Sequence, residues 1–215
     1  MKILIFLMLT GFTFCAQAQD STSISFESPD DEYLNLSNEL NGISIVKVSC
    51  KDTTLWGKKI FLSCDEYLDG NLIDEDDFGL NRVMEHPVVV EGDTMIHKTD
   101  MSERMRFREQ QKSYDLIFAG KLNGDTLKMI HKLPGLSFMC NYSGDKDFFM
   151  RRADFSRGEM RIALNQKQPV LVYTAPFRGE GYNYLCILGS EPFEKWYEKF
   201  NVNHFYVFNL KISDD

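Results

Sequence analysis

The chain has 215 residues, of which 43% are hydrophobic and 13% aromatic, so it can bury a sizeable core and does not have the composition of a disordered protein. Its 32 acidic and 24 basic residues give a formal net charge of −8 at pH 7. This balance argues against general nucleic-acid binding, which depends on neutralising phosphates, and against electrostatic docking on anionic membranes.

The N-terminus has the parts of a secretory signal. Lys2 precedes an apolar run over residues 3–15, and Ala16–Ala18 supplies the small-x-small pattern of a cleavage site. A run of about thirteen residues is too short to cross a hydrocarbon core of about 30 Å as a helix. We therefore expect residues 1–18 to be a cleaved signal and the protein to be exported to the periplasm, the cell surface or the medium. A lipid anchor at Cys15 is the alternative.

Two segments are predicted after the signal. Residues 19–40 read as a flexible acidic leader, with a short strand expected at residues 23–26. Residues 41–215 are expected to form a single mainly-β domain without a transmembrane segment.

Runs rich in β-branched and aromatic residues alternate with short gaps that carry Gly, Pro, Asn or Asp. This spacing predicts an antiparallel sandwich or a lipocalin-like barrel. The clearest hairpin is 114–133, where Asn123-Gly124 suits a type I′ turn. The strand segments expected are 43–50, 58–64, 86–98, 114–133, 136–142, 147–155, 159–164, 169–175, 182–189 and 204–212.

One amphipathic helix is predicted near the C-terminus. Ser190 can cap its first turn. The apolar residues Phe193, Trp196, Tyr197 and Phe200 then fall at i, i+3, i+4 and i+7, which places them on one face.

Residues 99–113 allow two interpretations. Asp100 and Glu103 have the spacing of a capping box that opens a helix. Three arginines instead alternate with apolar residues, which is strand periodicity and is the interpretation we favour. These arginines are Arg104, Arg106 and Arg108, and a second basic set is Arg151, Arg152, Arg157 and Arg161.

If the two arginine sets face one cleft, their guanidinium groups can hold a carboxylate or a sulfated ligand through bidentate contacts. The favoured alternative is a solvated sheet face balanced by nearby acids.

The stretch DEYLDGNLIDEDD, residues 65–77, partly matches a calcium loop of the EF-hand type with Gly70 at its sixth position. The candidate ligands are Asp65, Asp69 and Asp76. Tyr67 stands at the third position, where a phenol is a poor calcium ligand. The favoured alternative is a hairpin with Asp69-Gly70 as a two-residue turn and no bound cofactor.

Four cysteines follow the predicted signal, at positions 50, 64, 140 and 186. An even number in an exported protein permits disulfides. If residues 43–50 and 58–64 form a hairpin, Cys50 and Cys64 lie opposite each other, so theirs is the disulfide to test first. Buried free thiols are the alternative.

Residues 173–184, YTAPFRGEGYNY, are expected to form a shaped loop that offers aromatic rings to a sugar or peptide. The candidate ligand-binding residues are Tyr173, Phe177, Arg178, Tyr182 and Tyr184.

No G-x-S-x-G, C-x-x-C or HExxH motif is present. His97 and His131 lie in the similar segments GDTMIHK and GDTLKMIHK, and they would meet at a metal ion only if these segments pair.

A signal that ends in CAQAQD ahead of an acidic β-rich body resembles the small secreted proteins of Bacteroides-type bacteria. Those bacteria O-glycosylate exported proteins at Asp-Ser/Thr followed by a methyl-bearing residue. The resemblance therefore implies glycosylation at such triplets, although turn chemistry explains Asp-Thr equally well. The triplets are Asp20-Ser21-Thr22, Asp52-Thr53-Thr54, Asp93-Thr94-Met95 and Asp125-Thr126-Leu127.

Together these patterns favour a non-catalytic binding or interaction module of the cell envelope, whose partner is a glycan, a peptide or an envelope protein. A hydrolase acting on glycan or peptide is one alternative, and it requires two carboxyl groups in one aromatic-lined cleft. A structural part of an envelope assembly is the other, and it requires a large exposed apolar patch.

Overall fold

The computed structural model describes residues 20–27, 31–144, 147–153, 159–179, 182–184 and 191–214, with the backbone alone at residues 178, 179 and 182–184. The predicted signal at residues 1–18, its candidate lipid anchor Cys15 and the candidate helix cap Ser190 lie outside the described residues.

The described chain is mainly β, as the sequence predicts. The strands are β1 (Ser21–Glu27), β2 (Ile43–Cys50), β3 (Lys59–Leu68), β4 (Asn71–Asp76), β5 (Val83–Val90), β6 (Asp93–Asp100), β7 (Tyr114–Asn123), β8 (Thr126–Leu133), β9 (Leu136–Ser143), β10 (Phe149–Arg152), β11 (Glu159–Ala163), β12 (Lys167–Thr174), β13 (Phe177–Gly179), β14 (Tyr182–Tyr184) and β15 (His204–Ser213). The α-helices are α1 (Glu32–Leu40) and α2 (Trp196–Phe200), and 3-10 turns cover Thr53–Leu55, Met101–Met105 and Phe193–Lys195. None of the helices in this described part is long and apolar enough to cross a membrane.

Two antiparallel sheets enclose the main core. The six-stranded sheet has the order β11-β1-β2-β7-β8-β9, and the five-stranded sheet has the order β10-β12-β15-β3-β4. Phe118 of one sheet meets Phe208 of the other, with ring centroids 5.7 Å apart. Both sheets are open at their edges over the described strands, so the fold is the sandwich rather than the barrel of the two predicted alternatives.

Strand periodicity accounts for this core. In β8 Leu127, Met129, His131 and Leu133 are buried while the residues between them face outward. Burying one large apolar side chain contributes about 1.5–3 kcal/mol, so each strand adds several such terms to the core.

The C-terminal helical segment covers the second face of the five-stranded sheet. Trp196 is fully buried, and its ring lies 4.8 Å from that of Phe205 and 4.9 Å from that of Phe177. The predicted apolar face is therefore confirmed for Phe193, Trp196 and Phe200, whereas Tyr197 is exposed. The segment begins as a 3-10 turn, so α2 itself is shorter than the sequence predicts.

The predicted leader is ordered where it is described. Strand β1 lies between β2 and β11, and the side chains of Thr22 and Ile24 alternate into the interior. Helix α1 follows, with the Asp31 side chain accepting from the N–H of Leu34. The short strand expected at residues 23–26 is therefore confirmed, and β1 extends beyond it on both sides.

The hairpin predicted over residues 114–133 is confirmed, with its turn one residue later. Asn123 pairs with Thr126, so Gly124 and Asp125 are the central residues, and only Gly124 of the two has a positive φ. This conformation fits a type II′ turn rather than the predicted type I′.

The expected hairpin between residues 43–50 and 58–64 is wrong. Strand β2 pairs with β1 and β7, whereas β3 pairs with β15 and β4 in the other sheet. The strand preference at residues 99–113 is also wrong over Met101–Met105, which form a 3-10 turn. Asp100, the last residue of β6, caps this turn by accepting from the N–H of Ser102. Extended backbone returns at Arg106, which bridges to Lys59.

Candidate functional site

Strands β5 and β6 form a hairpin that belongs to neither large sheet. All of its residues are exposed except Met84 and Thr99, which are half-buried. At its base the N–H of Met101 donates to the carbonyl of Arg82 at 3.0 Å. The hairpin therefore presents both of its faces to solvent.

The distal half of this hairpin is apolar on both faces. Strand alternation and the observed register place Val88, Val90 and Met95 on one face, and Val89 and Ile96 on the other. Val89, Met95 and Ile96 are 69%, 60% and 56% exposed. Apolar side chains are thus exposed to solvent on both faces of the distal half of the hairpin.

The two outer edges of the hairpin differ. The two-residue turn Glu91-Gly92 makes Val90 and Asp93 a hydrogen-bonded pair, so every second pair after it leaves its backbone groups pointing outward. Pro87 occupies such an outward position in β5 and has no N–H to offer. The edge of β6 has no proline and is unpaired within the described part of the chain.

A cleft of about 360 Å³ lies elsewhere, between the loop after β6 and the β8–β9 turn. Its lining residues are Arg104, Arg106, Arg108, Gln111, Pro134 and Gly135. The first predicted arginine set therefore meets in one concavity. The second set does not join it: Arg151 and Arg152 lie on β10, Arg161 lies on β11, and Arg157 lies outside the described residues.

A third site is an acidic cleft of about 260 Å³ where the edges of the two sheets face each other. Glu66 and Asp74 line it as direct cross-strand neighbours in β3 and β4. The Glu66 carboxylate accepts from the hydroxyl of Tyr206 at 3.0 Å and lies 2.7 Å from Nε2 of His204. Burial, with the Glu66 charge adding to it, raises the pKa of Tyr206 well above its usual range. Asp76 and Tyr142 also contribute to the lining.

The Asp69-Gly70 segment forms the two-residue turn between β3 and β4, which confirms the hairpin interpretation of DEYLDGNLIDEDD. Asp65 is buried and pairs with Lys167 at 2.7 Å, and the Asp76 carboxylate accepts from the N–H of Phe78 at 2.7 Å. Among the described residues no three His, Cys, Asp or Glu side chains are grouped to hold a metal ion.

Cys50 and Cys64 are both free thiols in the main core. They belong to strands of different sheets, so the geometry on which the predicted disulfide rested is absent. Burial raises the pKa of the Cys50 thiol to about 11 and that of Cys64 further above its usual range. Both thiols are therefore protonated and unreactive at neutral pH.

The aromatic residues of the predicted binding loop that can be placed are inside the protein. Phe177 is fully buried against Trp196, and Tyr173 is buried beside a cavity of about 210 Å³. Neither ring is exposed as a loop platform requires. The side chains of Arg178, Tyr182 and Tyr184 lie outside the described set, and their backbone forms the short β13–β14 hairpin.

The histidines do not meet as the two similar segments suggested. His97 lies opposite His86 across the β5–β6 hairpin, whereas His131 is buried in the main core. These two histidines would meet only if their segments paired, and the segments do not pair because β6 and β8 belong to different sheets.

Comparison of the chain with protein-family models, curated proteins and solved structures finds no match in any of the three. Two of the sites also depend on residues to which the sequence analysis assigned no role in binding. Thr94 and Pro87 matter through the outward direction of their backbone groups, and Gln111 and Pro134 join the arginines only after folding.

Proposed function

We propose that the protein is an exported, non-catalytic interaction module of the cell envelope that docks an extended segment of another protein onto strand β6. The observation that carries this proposal is the β5–β6 hairpin, which is apolar at its distal half and lies outside both sheets. Its location in the envelope rests on the secretory signal predicted at residues 1–18.

A two-stranded hairpin with both faces in water is at best marginally stable. A partner that covers Val89, Met95 and Ile96 removes their apolar surface from water, which contributes about 25 cal/mol per Å². The hairpin is thus suited to be completed by a second protein. A structural subunit of an envelope assembly also requires an exposed apolar patch. In that case the same residues of the hairpin would form a permanent contact with the neighbouring subunit.

The edge of β6 selects the mode of docking. Backbone groups of Thr94, Ile96 and Lys98 point outward, so an added strand can extend the ladder there. Pro87 closes the opposite edge, as prolines commonly do where pairing is unwanted. A strand of the partner can therefore be added only at the edge of β6.

Charge favours a partner of different sequence over a second copy. The hairpin carries Glu85, Glu91, Asp93 and Asp100 against one lysine, Lys98, which pairs with Glu85 at 2.8 Å. Pairing two β6 strands along this edge would bring two such acidic hairpins together, and juxtaposed like charges cost free energy. An extended segment with alternating apolar and basic residues avoids this repulsion.

The test uses a seven-residue peptide of alternating lysine and valine as the probe, with a glutamate–valine peptide as its charge control. We expect saturable binding of the basic peptide and at least tenfold weaker binding of the acidic one. Thr94→Pro removes one outward N–H and leaves the β5–β6 ladder intact, so it should abolish binding without changing the melting temperature.

Ile96→Lys should also weaken binding at least tenfold, because it removes an apolar contact and adds a like charge. Met139→Lys is the matched control, since Met139 is 63% exposed on β9, which belongs to the six-stranded sheet and not to the hairpin. Equal binding by the protein and by Thr94→Pro would contradict strand addition. Failure of the basic peptide to bind at all would contradict the docking proposal.

The acidic cleft supports a second candidate, a hydrolase in which Glu66 and Asp74 act as the acid–base pair. Their cross-strand register places the Cβ atoms about 5 Å apart, and Tyr142 and Tyr206 supply aromatic walls. Any glycan or peptide hydrolysis should then fall at least 100-fold in Glu66→Gln. Activity that survives this substitution would remove the cleft from consideration.

A further inference from the structure

The arginine cleft is a built concavity in a protein of opposite overall charge. The net charge of the chain is −8, yet the described residues that line this cleft include three guanidinium groups and no carboxylate. Such a local reversal concentrates anions against the general repulsion of the molecule.

Local folding explains why the arginines converge. Met105 and Phe107 are fully buried and anchor the segment, whereas Arg104 in the 3-10 turn and Arg108 beyond it are exposed and Arg106 is half-buried between them. The N–H of Phe107 donates to the carbonyl of Lys58 at 2.9 Å, and the carbonyl of Phe107 accepts from Gly57 at 2.7 Å. These bonds hold the arginine segment against the edge of the main domain.

The cleft is also organised before any ligand arrives. The side-chain oxygen of Gln111 accepts from the N–H of Arg108 at 2.8 Å, and the N–H of Gln111 donates to the Arg108 carbonyl at 2.9 Å. Glu103 holds Arg106 through two hydrogen bonds of 2.9 and 2.7 Å. Arg106, and Lys59 beside it, lower the pKa of Glu103 to about 2, so the positions of Glu103 and Arg106 are mutually fixed.

The opposite wall is the Pro134-Gly135 turn between β8 and β9. Proline at the first central position and glycine, with a φ of +76°, at the second fit a type II turn. This turn has no bulky or acidic side chain, so it leaves the cleft open in front of the guanidinium groups.

Arg104 and Arg108 are the groups available for a ligand. Both are exposed, and neither forms an ion pair with any described residue. The Gln111 oxygen is occupied, which leaves its amide N–H groups as donors. Because the available groups are all hydrogen-bond donors, the cleft favours a ligand that is rich in hydrogen-bond acceptors.

We propose that this cleft binds a saccharide that carries an oxyanion, either a sulfate ester or a carboxylate. Two guanidinium forks suit the paired oxygens of such a group. A volume of about 360 Å³ exceeds that of a bare anion and is in the range of small-molecule sites. The polar lining favours a hydroxylated body, and the half-exposed indole of Trp56, which donates to the Gln111 carbonyl at 3.3 Å, offers a ring surface at the rim.

Isothermal titration tests this proposal with four probes: a monosulfated disaccharide, a uronate-containing disaccharide, an uncharged disaccharide and sodium sulfate. We expect at least one charged disaccharide to bind, with affinity that falls as salt is added. The uncharged disaccharide and free sulfate should bind at least tenfold more weakly.

Two variants locate the binding. The double change Arg104→Gln with Arg108→Gln should weaken it by at least 100-fold, because each charge-assisted contact is worth about tenfold. Gln111→Glu keeps the acceptor for the Arg108 N–H and adds a negative charge, so it should abolish binding while the fold is kept. Arg161→Gln is the matched control, an exposed arginine on β11 away from the cleft, and should bind as the parent does.

Absence of binding by both charged disaccharides would overturn the proposal, as would unchanged affinity in the double variant. Equal affinity for free sulfate would contradict a saccharide ligand. The cleft and the β5–β6 hairpin involve different residues, so failure here leaves the docking proposal to its own test.

Discussion

At the scale of one residue, His131 shows how burial in the core changes the pKa of a side chain in a way that sequence patterns do not reveal. Its imidazole lies among the rings of Phe78, Phe118, Phe138 and Phe208, at centroid distances of 5.1 to 5.6 Å. Alternation places His131 on the same face as Leu127, Met129 and Leu133, but it does not predict which side chains surround the imidazole. Those neighbours follow from the packing of the two sheets.

The ring has one polar partner. Its Nε2 lies 2.8 Å from the hydroxyl of Tyr142, whereas Nδ1 has no hydrogen-bond partner among the described residues. Burial lowers the pKa of His131 from its ordinary value of 6.5 to about 4. The folded protein therefore holds this imidazole neutral.

This pKa predicts an acid-sensitive stability. The unfolded chain takes up a proton below about pH 6.5 and the folded chain does not, so the contribution is complete above that pH and is lost as the pH falls towards 4. The full effect is about 3 kcal/mol, with a limiting slope of about 1.4 kcal/mol per pH unit.

Denaturant unfolding at pH 7.5, 5.5 and 4.5 measures this effect. His131→Phe should lower the pH dependence of the free energy of unfolding by one proton in that window. The variant should keep the fold, because the surrounding side chains are already aromatic. Loss of stability that is identical in the parent and in His131→Phe would place the acid sensitivity elsewhere. Glu27 and Glu103, whose pKa values are held near 2 by neighbouring cations, act at lower pH.

At the scale of elements, short turns determine which neighbouring strands pair, and Gly, Asn and Asp residues in the sequence predict several of these turns. Asp69-Gly70 was recognised as a turn because aspartate and glycine tolerate positive φ, and both residues adopt it here. Its packing could not be predicted. The N–H of Asp69 donates to the carbonyl of Asn203, and a Cβ on Gly70 would lie 2.6 Å from the backbone oxygen of Glu194.

Gly70→Ala should therefore destabilise the fold by about 2–4 kcal/mol, of which about 1 kcal/mol is backbone strain and the rest is the clash with a backbone atom. Gly135→Ala is the matched control, since its φ of +76° is close to the +79° of Gly70 but nothing lies within 4 Å of its Cβ position. Denaturant titration should show only about 1 kcal/mol of loss for the control. Equal losses would mean that the turn does not pack on the helical segment.

The β5–β6 hairpin marks a limit of element prediction. The sequence predicts strand structure over residues 86–98, and the observed hairpin spans residues 83–100 with its turn at Glu91-Gly92. Nothing in the apolar run of residues 88–90 distinguishes a strand in the core from one in solvent, because both favour β-branched residues. Whether this hairpin joins one of the large sheets therefore depends on the elements around it and not on its own residues.

At the scale of the molecule, the mainly-β sandwich and its C-terminal helix followed from spacing and periodicity. The order of strands did not, because pairs such as β1 with β11 or β3 with β15 join segments distant in the chain. The predicted disulfide failed for this reason. The arginine cleft was predicted in part. The sequence grouped Arg104, Arg106 and Arg108 as one basic set, although a 3-10 turn replaces the expected strand alternation at Arg104, and Pro134-Gly135 reaches them only through the sandwich.

The measurement that bears most directly on docking at β6 is amide hydrogen exchange by NMR, with and without the lysine–valine peptide. Amides of Met95 and His97 already face β5, whereas those of Thr94, Ile96 and Lys98 point outward. Strand addition predicts that the outward amides of Thr94, Ile96 and Lys98, which are every second amide of β6, gain protection on binding and that none of them does in Thr94→Pro. Unchanged exchange along β6 in the presence of saturating peptide would contradict the proposed function.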